Sequence, residues 1–148
     1  MTSWIEDVAE CIAAASTAAT VGTNVFANIL PPDVDTVAVG VFEQPGPGRV
    51  GTYSTGSAWE RPGILVVVRT TAPVDGANAP NPAGARSLAW TAYQAFLGVN
   101  DAVISTGSTR RFGTIEPMEA PHLYDVDAEG RQAYAFTATA WLEPGSSW

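Results

Sequence analysis

The sequence predicts an α+β domain in which two helices pack on one face of an antiparallel or mixed β-sheet of four to five strands. Two segments have apolar residues at helical spacing, and the segments between and after them are β-branched or alternate between apolar and polar residues. The resulting order of helix, strands, helix and strands is typical of α+β domains. Because the chain has 148 residues and no internal repeat, a single domain over residues 1–148 is expected.

The two helices are predicted from their caps and their apolar stripes. The first spans residues 3–18, because Ser3 and Glu6 can form a capping box and apolar side chains follow at helical spacing. These side chains are Ile5, Val8 and Ile12. The second helix spans residues 82–97, with Asn81 as its N-cap. Its buried stripe is predicted to contain Ala85, Leu88, Ala89, Ala92, Tyr93 and Phe96.

Strands are predicted where β-branched residues cluster or where apolar residues alternate with polar ones. These segments are residues 36–42, 64–70, 103–106, 110–116 and 132–142. The run ILVVVRT at 64–70 is nearly all apolar, which indicates a central strand covered on both faces. The last segment alternates, which places Tyr134 and Phe136 on its core-facing side.

The charge composition limits the functions that the chain can have. All seven basic residues are Arg and there is no Lys, against fifteen acids, so the net charge is -8. Such a chain cannot present a broad basic surface to phosphates, and a nucleic-acid-binding protein is therefore not expected. The single basic doublet, Arg110-Arg111, is predicted to be a solvated or interface pair.

Part of the surface is expected to be covered by neighbouring subunits. Apolar residues make up 46% of the chain and charged residues only 15%, and a monomer with so few charges would be poorly soluble. Two segments, 44–61 and 72–81, are rich in Gly and Pro and lack periodicity. Long loops of this kind in a small domain are usually functional or ordered by a partner.

The chain is expected to fold in a cytoplasm. Its N-terminus is acidic and lacks the basic segment of a signal peptide, and no apolar run is long enough to span a membrane. The single cysteine, Cys11, has no partner for an internal disulfide and lies within the first helical pattern. It is predicted to be a small buried hydrophobic residue.

The acidic stretch at residues 125–130 is similar to the first half of a helix-loop-helix calcium loop. Asp125, Asp127 and Glu129 occupy the first, third and fifth positions. Such a loop requires a bidentate carboxylate at its twelfth position, and that position here is Phe136. Because an alternating strand follows, the stretch is predicted to be a hairpin turn, and no metal is expected.

Two further patterns bear on whether the chain has a catalytic or cofactor-binding site. The sequence from Gly46 to Gly51 matches G-x-G-x-x-G, but no helix-forming residues follow, so a flexible loop is predicted. His122 is the only imidazole, and no Ser or Cys lies in a nucleophile-elbow sequence. The chain is therefore predicted not to be an enzyme, with no catalytic residue and no cofactor.

Several short motifs follow one another along nearly the whole chain. VGTNVFANILPPDVDTVAVGVFE precedes WERP and ILVVVRT, and HLYDVDAEGRQAYAF lies near the end. In this order they resemble the tail terminator proteins of long-tailed bacteriophages, which are also called tail completion or minor capsid proteins. The resemblance implies a small α+β subunit that assembles as a hexameric ring on the tail tube. Such a ring stops tube polymerisation and forms the surface to which the head connector docks.

The resemblance also implies partners and a location. The partners are further copies of the chain, the tail tube protein and the head–tail connector proteins, and the location is the tail or neck of a virion assembled in a bacterial cytoplasm. DNA would pass through the ring without specific binding, which an acidic wall favours. No membrane is involved.

Two sets of residues are predicted to serve this assembly. Asp125, Asp127 and Glu129 are predicted to line the channel or an interface. Trp59, Arg61, Arg69 and Trp148 are predicted to contact other subunits or partners. Two alternatives stay open: a head-closure or connector ring protein of the neck, and a small-ligand-binding α+β domain. A monomer with one deep polar pocket would favour the last of these.

Overall fold

The computed structural model describes residues 3–34, 36–48, 50–51, 58–71 and 82–143. The helices are α1 (Trp4–Ala15) and α2 (Pro82–Leu97). The strands are β1 (Val25–Ala27), β2 (Ala38–Gln44), β3 (Val50–Gly51), β4 (Ala58–Trp59), β5 (Gly63–Arg69), β6 (Asn100–Val103), β7 (Arg111–Pro117), β8 (His122–Val126) and β9 (Gln132–Leu142). Trp148 and the predicted loop 72–81, with its Asn81 cap, lie outside the described residues.

Seven of the strands form one mixed sheet, which confirms the α+β prediction. The strand order is β1-β2-β5-β9-β7-β6, and β8 also pairs with β9. β1 is parallel to β2, whereas the other pairings in this sheet are antiparallel. β3 and β4 form a separate two-stranded ladder. The number of strands exceeds four to five because short segments such as β1 and β8 also pair, and segments this short give weak propensity signals.

β9 is the longest strand and organises the sheet, with the boundaries that the sequence predicts. One of its edges pairs with β5 from Ala133 to Thr139. The opposite edge is divided between two strands: β7 pairs with the C-terminal part of β9, and β8 pairs with its N-terminal part. β7 and β8 therefore pair with successive parts of the same edge of β9. A hairpin connects β8 to β9.

Both helices pack on one face of the sheet, α1 against β1 and β2 and α2 against β5, β7 and β9. The predicted capping box is present: the Ser3 amide donates to Glu6 Oε2 at 2.5 Å, and the Glu6 amide donates to Ser3 Oγ at 3.4 Å. The predicted stripe of α2 is buried, with Tyr93 only partly so. Cys11 is half-buried, and burial raises the pKa of its thiol to about 11.

The second face of the sheet carries a smaller apolar cluster, in which Leu30 and Phe42 pack against Val67, Ala133 and Ala135. The segment that includes Leu30 is attached to the sheet by buried arginines, described below. The prediction that the 64–70 strand is covered on both faces is confirmed, because both Val66 and Val67 are buried.

Two predicted elements differ most from the structure, and just beyond each of them a serine hydroxyl accepts from a backbone amide. The strand predicted at 36–42 is displaced less and spans Ala38–Gln44. The first helix ends at Ala15 rather than at residue 18, since Ser16 is extended and its Oγ accepts from the Ala18 amide at 3.2 Å. The strand predicted at 103–106 instead spans Asn100–Val103. Beyond it, Ser105 Oγ accepts from the Gly107 amide at 3.2 Å, which directs the chain into a turn.

The basic doublet divides between the interior and the surface. Arg110 is buried and forms an ion pair with Asp7 of α1, which is also buried. Arg111 remains on the surface and pairs with the exposed Asp101 at 3.1 Å. The prediction of a solvated or interface pair is therefore wrong for Arg110, because α1 places a carboxylate beside it.

Candidate functional site

The acidic stretch forms the turn of the β8–β9 hairpin, as predicted. Gly130 adopts a left-handed conformation with φ of 79°, which a glycine tolerates without strain. Asp127 closes the turn: its Oδ1 accepts from the amides of Glu129 at 3.0 Å and Arg131 at 2.9 Å, and its Oδ2 accepts from Arg131 Nε at 2.6 Å. The Asp127 side chain therefore determines the local shape of the hairpin.

The carboxylate of Asp127 is partly buried and paired with Arg131. Desolvation raises the pKa of its carboxyl, but the hydrogen bonds from the Arg131 backbone and side chain outweigh this effect and lower the pKa overall. A lowered carboxyl pKa stabilises the fold above the unfolded-state pKa. This stabilisation is present at neutral pH and is lost as the pH falls through the folded-state pKa.

The other two acids lie on the surface. Asp125 and Glu129 are exposed. Asp125 Oδ1 accepts from the Val126 amide at 2.8 Å, and Glu129 Oε2 lies 3.4 Å from an Arg131 nitrogen. The three acids predicted as one group therefore separate into one partly buried residue, Asp127, and two exposed residues. Whether Asp125 and Glu129 face a channel or a neighbour stays a prediction.

Arg69 and Arg131 lie together behind the hairpin, on the second face of the sheet, and both are buried. An Arg69 amino group donates to the Pro31 carbonyl at 2.6 Å, and an Arg131 amino group donates to the Pro32 carbonyl at 2.7 Å. Burial and the like charge of Arg131 lower the pKa of Arg69. Arg69, predicted to contact another subunit, thus attaches the proline segment to the sheet within its own chain.

Trp59 and Arg61 do come together, around Trp141 of β9. The Trp59 and Trp141 rings meet edge to face with centroids 6.4 Å apart, and Arg61 Cζ lies 5.2 Å from the Trp141 ring centroid. Arg61 Nε also donates to the Gly48 carbonyl at 2.8 Å. Gly113 permits this arrangement, because a Cβ there would lie 2.9 Å from Trp59 Cζ3.

A cleft of about 390 Å³ opens beside these tryptophans. Its lining residues are Trp59, Asn100, Asp101, Gly113, Thr114, Trp141 and Glu143. Across the described part of the chain, no three His, Cys, Asp or Glu side chains lie close enough together to hold a metal ion. No helix within the same residues is both long and apolar enough to cross a membrane.

β8 presents an exposed apolar edge that the sequence interpretation missed. Every residue of β8 is exposed, and three of them are large apolar side chains: Leu123 is 54% exposed, Tyr124 55% and Val126 52%. From the sequence, this segment is predicted only as the flank of a hairpin. The signal that could have revealed it is the run Leu-Tyr-x-Val just before a turn.

Comparison with known proteins identifies the fold. No family model matches the chain, and no curated protein matches it. A chain in the solved structure of the virion of a native gene transfer agent (GTA) particle is similar, with a TM-score of 0.54. The two chains share a fold. The similarity covers 89% of this chain and 84% of the GTA chain, at 16% sequence identity.

Proposed function

We propose that this chain is a structural protein of a virion and, more specifically, a tail terminator that caps the tail tube as a ring. The observation that carries the proposal is the fold shared with a chain of the GTA virion over most of both chains. The motif order that resembles tail terminators agrees with it. The ring would stop tube polymerisation and present a surface for head joining.

The surface of the described residues supports a role in assembly. Exposed large apolar side chains lie on β8 and at several other positions, and monomers rarely expose contiguous apolar patches. Three of the arginines, Arg69, Arg110 and Arg131, are buried. Arg110 is offset by the equally buried Asp7, whereas burial of Arg69 and Arg131 leaves the exposed charge of the described residues more strongly negative. An acidic ring would repel passing DNA, which suits a channel that must not bind it.

Electron microscopy of the purified protein tests the ring directly. Negative-stain images and native mass spectrometry should show closed rings of about six subunits, as the tail-terminator resemblance implies. A protein that stays monomeric across the accessible concentration range, with a ligand in the Trp59–Trp141 cleft, would instead favour a small-ligand-binding domain.

Charge reversal on the hairpin tests the proposed channel wall. The double variant Asp125→Lys/Glu129→Lys should form rings of normal size but impair DNA passage, because positive side chains in the lumen would retain the phosphate backbone. Particle yield and DNA ejection are the measurements. Asp127 is left unchanged, since replacing it would also remove the turn's hydrogen bonds.

A matched variant distinguishes an effect of where the reversed charges lie from an effect of the total charge. Glu43→Lys/Glu116→Lys changes the net charge by the same amount at two other exposed acids. Ejection should be normal in this control. Normal ejection in the hairpin variant, or an equal defect in both variants, would show that the hairpin acids do not line the channel.

A further inference from the structure

The outer edge of β8 is free within the described residues. β8 pairs with β9 on one side, and no described strand pairs with its other side. All five of its residues are exposed, so neither face of β8 is covered. A free strand edge presents unpaired backbone amides and carbonyls to any extended segment that can approach it.

The two faces of this edge differ in chemistry because of a bulge. Leu123 pairs with Tyr134 and Val126 pairs with Gln132, and the register shifts between Leu123 and Asp125. Directly opposed residues lie on the same face of a sheet. The shift therefore places Leu123 and Val126 on one face although they are three residues apart. His122 and Asp125 lie on the other face, opposite alanines of β9.

The electrostatics of the edge favour a cationic partner. Asp125 and Glu129 are exposed beside it. The nearby Arg131 is buried; it pairs closely with Asp127, at 2.6 Å, and more loosely with Glu129, at 3.4 Å, and no ion pair to Asp125 is seen among the described residues. A second copy of this chain could not readily neutralise these acids. Of the described arginines, Arg69, Arg110 and Arg131 are buried, Arg111 pairs with Asp101, and Arg61 and Arg86 stack on Trp141 and Tyr134. A second copy would also bring its own net charge of -8.

We infer that the β8 edge binds an extended segment of a different protein, in which Lys or Arg alternates with apolar residues. Backbone hydrogen bonds would add this segment to the sheet as a further strand. Its apolar side chains would cover Leu123 and Val126, and its cations would lie near Asp125 and Glu129, which supplies specificity. Only the expectation that the partner is a neighbouring virion protein rests on the proposed function.

Binding of capped model peptides tests this inference. The probe is a seven-residue peptide that alternates Lys and Val, compared with one that alternates Glu and Val and with a Lys-Val peptide that has a central Pro. The Lys-Val peptide should protect the amides of residues 122–126 from hydrogen exchange. At low salt it should bind at least ten-fold more tightly than the other two peptides. The acids of the edge repel the Glu-Val peptide, and the central Pro of the third peptide lacks a backbone amide donor.

Variants of the protein locate the binding. Leu123→Lys/Val126→Lys should weaken binding of the Lys-Val peptide at least ten-fold. Leu97→Lys/Val103→Lys, at exposed apolar residues elsewhere, should leave it unchanged. Equal weakening in both variants, no binding by the wild-type protein, or equal binding of the Glu-Val peptide would overturn the inference.

Ring formation is scored separately on the same samples. If the β8 variant abolishes rings while the control variant retains them, the edge is occupied by a second copy and the inference is wrong. If the wild-type protein forms no rings but binds the Lys-Val peptide at β8, the inference stands and the proposed ring function fails.

Discussion

Replacing Arg110 with methionine is expected to lower the free energy of unfolding by about 3–5 kcal/mol, because it leaves the Asp7 carboxylate buried without its guanidinium. Asp7 lies in the first turn of α1 and Arg110 directly precedes β7. The ion pair therefore joins α1 to the start of β7, which lies near the opposite edge of the sheet. Urea unfolding measures the change, and the midpoint of thermal unfolding should fall by roughly 10 °C.

Arg111→Met is the matched control for this prediction. The adjacent arginine pairs with Asp101 on the surface, with side chains that are 41% and 74% exposed, and exposed ion pairs typically contribute about 0–1 kcal/mol. Replacing both partners, as Asp7→Leu/Arg110→Met, should recover much of the loss, since no buried charge remains. A small effect of Arg110→Met alone would contradict a buried ion pair at this position.

Replacing Phe136 with alanine is expected to cost about 3–5 kcal/mol, the range for removing a fully buried aromatic side chain. Phe136 is completely buried at the centre of β9. Its ring meets Tyr93 and Phe96 of α2 edge to face, with centroids 5.8 and 5.6 Å away. The loss thus combines a cavity with two aromatic contacts between the sheet and the helix. Urea unfolding monitored by circular dichroism is the measurement.

Tyr124→Ala provides the comparison, because Tyr124 is an aromatic residue that is 55% exposed on β8. Its replacement should change the free energy of unfolding of the isolated subunit by less than about 0.5 kcal/mol. Similar losses for the two variants would mean that Phe136 is not at the centre of the core.

The sequence predicted the parts of the fold in which one physical signal dominates. β9 carries Tyr134, Phe136, Ala138, Ala140 and Leu142 at alternate positions, and its predicted limits are those in the structure. The capping box of α1 and the buried stripe of α2 also follow from local spacing. In each case the pattern of burial is determined within one segment, so no knowledge of distant contacts is needed.

The predictions were less accurate where distant contacts decide the outcome. Nothing near Arg69 or Arg131 in the sequence indicates that they donate to the carbonyls of Pro31 and Pro32, because these partners are 38 and 99 residues away. The Asp7–Arg110 ion pair likewise joins residues that are 103 positions apart. Arg110, predicted to belong to a solvated or interface pair, is therefore internal, as are Arg69 and Arg131.

The candidate site was predicted in part. The hairpin turn was predicted correctly, whereas the role of its acids stays a prediction. The division between the structural Asp127 and the exposed Asp125 and Glu129 depends on how closely Arg131 pairs with Asp127. The grouping of Trp59 with Arg61 was anticipated, whereas Trp141 was not, because the pairing depends on how β4 approaches β9. The exposed β8 edge could be predicted only from the order of the strands in the sheet, which strand propensity alone does not provide.

Tail length in the absence of this chain tests most directly the claim that it caps the tail tube. The gene would be deleted from the virus or element that encodes it, and the assembled tails would be measured by electron microscopy, with complementation by the wild-type gene as the control. Tubes that grow beyond their fixed length and carry no heads are the predicted result. Tails of normal length would contradict capping, and if their heads were unjoined, the chain would be a head-closure protein instead.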